Sequence, residues 1–148
     1  MDYGERIKRL EVLISRLVNE RLQPFGLTMQ QQSVLRIVYA RQQAGSPASQ
    51  RDIEEALEIS NPTVTGLCSR LEAKGLIRRE RDKNDARTWR IFTTQADSRL
   101  REELMTHISK IEEELTNGMS KAEKEQLSRL LEQMEQNLAA MEAKNQEG

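Results

Sequence analysis

The stretch from Ser60 to Thr94, SNPTVTGLCSRLEAKGLI followed by RRERDKNDARTWRIFTT, constrains the fold more than any other part of the chain. Val64, Leu67, Cys68 and Leu71 recur at helical spacing, while Thr63, Thr65, Gly66, Ser69 and Arg70 fall off that apolar stripe. Ser60 stands at the N-cap, and Pro62 is tolerated in the first turn because its missing N–H would have no partner there anyway. Gly75 can take the left-handed conformation that closes a helix. Two short strands are expected next, Leu76 to Arg81 and Thr88 to Thr93, joined by the polar tip Asp82-Lys83-Asn84-Asp85-Ala86. A helix with a small, polar outer face followed at once by a basic hairpin predicts a winged helix-turn-helix.

Charge is local rather than global. The chain carries a formal net charge of −1, yet from Ser60 to Phe92 eight cations (Arg70, Lys74, Arg78, Arg79, Arg81, Lys83, Arg87, Arg90) meet four acids (Glu72, Glu80, Asp82, Asp85). Such a basic patch is the electrostatic footprint of a nucleic-acid partner. On the helix, Asn61, Thr63, Thr65, Ser69 and Arg70 are short or forked donors suited to base edges and phosphates. Arg87, Lys83 and Arg81 fall at or beside the wing tip, where a guanidinium can enter a narrow minor groove. Ser49, just before the preceding helix, joins these candidate contacts, and Trp89 is expected to anchor the hairpin by packing.

The rest of the chain reads as helices. Ile7, Leu10, Leu13, Ile14, Leu17 and Val18 form one face of a helix from about Asp2 to Leu22, stopped by Pro24 and Gly26. Thr28 and Gln31 form a capping-box pair that opens a helix to about Gln43, and Ala44-Gly45-Ser46-Pro47 is a turn. Ser49 with Asp52 caps a short helix bearing Ile53, Ala56 and Leu57, the positioning helix of a helix-turn-helix with Ile59 under the turn. Thr94 with Asp97 opens a long helix through Leu100, Leu104, Ile108, Ile111 and Leu115, broken at Asn117-Gly118. Ser120 with Glu123 caps the last helix, through Leu127, Leu131, Met134, Leu138 and Met141, with fraying expected from Asn145 onward.

The segment LEISNPTVTGLCSRLEAKGLIRRERDKNDAR, with Gly26-Leu27-Thr28 and Gln31, resembles the MarR family of bacterial transcription regulators. That family's pattern runs "S…TVT…L…LE.KGL(I/V).R…D..D.R" and ends in an Asp-x-Arg, here Asp85-Ala86-Arg87. The chain departs from the pattern just past the wing, where Thr93-Thr94 and then Asp97 replace the usual Leu-Thr and Gly. The resemblance implies a mainly α fold, a winged helix-turn-helix flanked by N- and C-terminal dimerisation helices. Its parts would be residues 1–27 for dimerisation, 28–94 for DNA binding and 95–148 for dimerisation. It also implies that Asp85 helps hold the wing, and that a small lipophilic or phenolic effector controls a homodimer bound to double-stranded DNA. Met29, Arg36, Tyr39, Met105 and His107 are the mixed apolar and polar residues expected near that effector. The competing function is a winged-helix protein-interaction module that does not bind DNA.

Other classes lack support. The single cysteine, Cys68, lies on the apolar stripe, so it is expected to pack, and it fits a reducing cytoplasm without a disulfide or a Cys-rich metal framework. His107 stands without a second ligand at metal spacing. No phosphate loop, activated nucleophile or metal cluster is recognisable, so neither a cofactor nor an enzymatic activity is expected. Neither a secretory start nor a membrane-spanning run is evident.

Overall fold

The computed structural model describes residues 2–148. Six α-helices and a small sheet follow in the order α1 (Tyr3–Leu22), α2 (Met29–Gln43), β1 (Ala48–Ser49), α3 (Gln50–Leu57), α4 (Asn61–Ala73), β2 (Ile77–Arg81), β3 (Trp89–Thr93), α5 (Gln95–Leu115) and α6 (Lys121–Glu147). A single 3-10 turn, Gln23–Phe25, follows α1. The chain clusters into two compact units, one ending at His107 and the other comprising Ile108–Gly148. No helix among the described residues is long and apolar enough to cross a membrane.

Local chemistry sets most boundaries in the first unit. Asp2 caps α1 through a bond from Glu5 N (3.0 Å). Reciprocal capping boxes open α2, between Thr28 and Gln31, and α3, between Ser49 and Asp52. Ser60 occupies the N-cap of α4 by backbone conformation alone. Its hydroxyl lies 2.9 Å from Thr63 Oγ1 instead of accepting from the helix. At the other end Gly75 takes a positive φ of 73°, and Leu76 N bonds Leu71 O (3.0 Å), which turns the chain into β2. Thr94 donates its hydroxyl to Gly75 O (2.6 Å), so the end of α4 is tied to the start of α5.

The expected hairpin is present with β2 and β3 antiparallel, Arg79 opposite Ile91 and Arg81 opposite Trp89. A third strand was not expected. Ala48 and Ser49 pair with Ile91 and Arg90, so the sheet has the order β1-β3-β2. Beneath it lies the core, in which Val34, Val38, Ala48, Ile53, Val64, Cys68, Leu71 and Ile91 are all fully buried. These residues come from α2, β1, α3, α4 and β3, so the positioning helix, the reading helix and the wing base share one apolar centre.

The second unit is plainer. Gly118, at φ 85°, lies in the turn after α5, and Ser120 and Glu123 form a capping box at α6. α6 continues to Glu147, past the fraying expected from Asn145. None of its side chains is buried, and Leu131, Leu138 and Met141 are each about half exposed or more.

Candidate nucleic-acid interface

α4 buries Val64, Leu67, Cys68 and Leu71 and leaves Asn61, Thr63, Thr65, Ser69 and Arg70 exposed. The apolar stripe therefore fixes the roll of the helix, and its opposite side is a row of short polar groups that ends in an arginine. Ser49 is set apart from this row. It is only 9% exposed, its hydroxyl accepts from Asp52 N (3.2 Å), and its backbone pairs with Arg90 in the sheet. Its side chain shapes the start of α3 rather than facing outward.

The wing tip is internally ordered. Asp85 accepts from Arg87 N (3.0 Å) and from the Thr88 hydroxyl (3.2 Å), while Thr88 N bonds Asp85 O (3.0 Å). Asp82 accepts from Asn84 N (2.8 Å) and from Arg90 Nε (2.8 Å). Those two bonds hold the Asp82 carboxyl below the usual carboxylate range. Arg87 projects from this frame with its side chain 96% exposed, 3.6 Å from Asp85. Lys83 is exposed nearby.

Arg81 and Trp89 pack on each other across the hairpin. Trp89 is 42% exposed, and the Arg81 guanidinium lies over its ring, 4.4 Å from the centroid. Arg81 also donates to Ala86 O at the tip. The pair is a cation–π clamp across the hairpin, at the first residue of β3 and the paired position nearest the tip. Arg78 lies over Phe92 in the same manner, at 4.5 Å.

Much of the basic count is spent within the fold. Arg79 makes paired bonds to Glu72 (2.9 and 3.3 Å), which lower the Glu72 carboxyl. Arg90 bridges Asp82 (2.8 Å) and Asp52 (3.8 Å) and donates to Pro47 O (3.2 Å). Asp52 is pushed up by partial burial, but its Ser49 hydrogen bonds and the Arg41 (3.0 Å) and Arg90 charges outweigh this and leave it lowered. Sequence reasoning missed this Arg41–Asp52–Arg90–Asp82 network. Within the reading helix and wing, Lys74 donates to Gly26 O and Arg81 is held on Trp89, whereas Arg70, Lys83 and the outward-pointing Arg87 remain exposed to an external anion.

A cavity of about 960 Å³ lies beside the reading helix, walled by α1, the 3-10 turn, the start of α2 and the α3–α4 turn. Leu27, Met29, Leu57 and Leu67 supply apolar wall, and Arg16 and Arg70 face the cavity together with Glu11 and Glu20. Of the residues expected to surround an effector, only Met29 lines it. Tyr39 is covered by the Arg101 guanidinium at 3.6 Å, and His107 packs edge-on to Phe25 with centroids 5.1 Å apart. Arg36 and Met105 are exposed. Cys68 is fully buried, and burial pushes its thiol up to about 11, which makes it an inert packing residue.

A helix-turn-helix whose second helix shows a polar face, closed by a sheet that projects an ordered basic tip, defines the winged-helix class of DNA-reading folds. The MarR family model matches residues 25–88, from the 3-10 turn to the wing. Staphylococcus aureus MepR in its DNA-binding conformation is 30% identical, with a TM-score of 0.79 over 93% of this chain and 99% of that one. The S. aureus MepR–DNA complex gives 29% identity and a TM-score of 0.80 over 93% and 96%. The uncharacterized HTH-type transcriptional regulator YwoH of Bacillus subtilis (strain 168) is 34% identical over 90 residues, 61% of this chain; the match spans 63% of the length of that relative. E. coli MarR in its apo form, at 23% identity and a TM-score of 0.76 over 90% and 96%, shares the fold. The chain belongs to the MarR family of winged-helix transcriptional regulators.

Proposed function

We propose that this protein is a sequence-specific, DNA-binding repressor that acts as a homodimer on a pseudo-palindromic operator and is released by a small lipophilic or phenolic ligand. The observation that carries the reading is the exposed polar row of α4 beside the projecting Arg87. In it, Asn61, Thr63, Thr65, Ser69 and Arg70 enter a major groove, while Arg87 and Lys83 reach the flanking minor groove or backbone. Arg81 and Asp85 brace the tip. MepR, a regulator of a multidrug efflux pump, has been solved in complex with DNA, which supports the same docking for this chain.

Dimerisation rests on the terminal helices, residues 1–27 and 95–148. Ile7, Leu10 and Leu13 on α1, and Leu130, Leu131, Leu138 and Met141 on α6, are all more than 40% exposed. Each of these side chains is already about half buried, so covering it against a second copy contributes about half of the 1.5–3 kcal/mol that full burial is worth. Two-fold symmetry then places half-sites about one helical turn, roughly 34–36 Å, apart. The effector occupies the cavity beside α4, where apolar walls and a mixed set of charged groups, Glu11 and Glu20 with Arg16 and Arg70, suit an amphipathic molecule. To release DNA it must favour the DNA-incompetent state by about 1.4 kcal/mol per tenfold loss of affinity.

Leu131→Glu combined with Leu138→Glu tests the assembly by sedimentation and operator binding. The expected product is a monomer or an unfolded chain. A folded monomer that binds the operator as tightly as wild type overturns the dimer.

A further inference from the structure

α3 also contributes to the reading surface. Gln50, the first residue of α3, donates from Nε2 to Thr65 Oγ1 at 2.8 Å, and Thr65 Oγ1 donates to Asn61 O at 2.9 Å. A threonine hydroxyl has one proton. With that proton on the Asn61 carbonyl, Thr65 can only accept from Gln50, so the orientation of the amide follows from hydrogen-bond chemistry. Gln50 is thereby held on the polar side of α4 with its Oε1 acceptor and one N–H still uncommitted. Gln50 is only partly exposed, and its neighbours Thr65 and Asn61 are exposed.

An acceptor beside a donor on one amide is the complement of adenine's major-groove edge, which offers the N6 amino group and the N7 acceptor. We propose that Gln50, positioned by Thr65, is a specificity-determining residue that selects an adenine in each half-site. Thr65 acts here as a positioning residue, since both its proton and an acceptor site are already engaged. The inference rests on the DNA-binding reading above and adds to it a reader outside α4.

The test selects bound duplexes from a random pool with the purified wild-type protein, then measures affinity for the selected operator with each base pair substituted in turn. In wild type, replacing one A·T pair in a half-site by G·C costs roughly 5- to 150-fold. In Gln50→Ala that penalty disappears, while penalties elsewhere in the site persist. Gln50→Glu offers acceptors only and shifts the preference at that position towards cytosine, whose N4 is a donor. Thr65→Val keeps the side-chain shape, frees the amide and lowers the penalty without abolishing it. Circular dichroism and melting curves matching wild type establish that the variants fold. An unchanged base profile in Gln50→Ala overturns the inference and leaves DNA binding intact, as does uniform weakening on every sequence, which marks a backbone contact. Failure of wild type to bind any duplex at low salt overturns the DNA reading itself, and this inference with it.

Discussion

Replacing Arg87 by alanine removes a cation that is 96% exposed and pairs with Asp85 at 3.6 Å. So solvated a pair contributes little to folding, and the melting temperature should not move. Its effect on DNA affinity can be worked out from charge. Each cation that neutralises a phosphate steepens the dependence of log K on log salt by about 0.9. A two-fold dimer loses two such cations, so the slope becomes shallower by about 1.8. Between about 50 and 200 mM salt, wild type should therefore lose about tenfold more affinity than the variant does. Anisotropy titrations of a labelled operator across that range measure both slopes. Asp85→Ala provides the contrast: its bonds to Arg87 N and Thr88 Oγ1 order the tip, so affinity should fall with the slope unchanged. Parallel salt plots for wild type and Arg87→Ala would refute the wing contact.

Three further outcomes follow from the packing and the ionic network. Glu58, the C-cap of α3, is held at φ 54° and ψ 43°, a left-handed conformation that costs a side chain about 1–2 kcal/mol; Glu58→Gly should stabilise the protein to urea by about 1 kcal/mol, and a lower urea midpoint would count against it. Cys68, with its thiol pushed up to about 11 by burial, should resist iodoacetamide at neutral pH and react only in denaturant; labelling of the native protein would show that the thiol is reachable. Asp52, Glu72 and Asp82 are depressed in the fold, so their stabilisation is present above the ordinary carboxylate values of 3.8 to 4.5 and is lost as pH falls below them. Asp97, raised chiefly by burial, runs the other way. The urea midpoint should drop between about pH 5 and 3, and less so in Asp52→Asn; identical pH profiles for that variant and wild type would remove Asp52 from the network.

Helices were legible in the chain because their signals are local. The pairs Thr28/Gln31, Ser49/Asp52 and Ser120/Glu123 sit three residues apart, and each marks a helix start in the structure. The stripe Val64, Leu67, Cys68, Leu71 gave the roll of α4 in the same way. β1 was not legible: Ala48 and Ser49 are too few to alternate, and their partners Ile91 and Arg90 lie at the far end of the reading head. Trp89 anchors the hairpin through its register opposite Arg81, a pairing that residue type alone does not give. A count of charges likewise does not say which are paired, and Glu72, Asp52 and Asp82 engage Arg79 and Arg90 across elements. The residues expected near an effector are set apart for a related reason. Tyr39 and His107 are claimed by Arg101 and Phe25, contacts that no spacing rule can register.

The strand order β1-β3-β2 leaves β2 at the margin of the sheet, with its outer backbone N–H and C=O groups unpaired. Such a margin invites a second chain to add a strand and start an aggregate. Four of the five residues of β2, Arg78, Arg79, Glu80 and Arg81, are charged. Two copies laid edge to edge would bring several arginines within reach of one another, so the margin repels its own likeness. The wing can then stay extended and solvent-facing at high protein concentration.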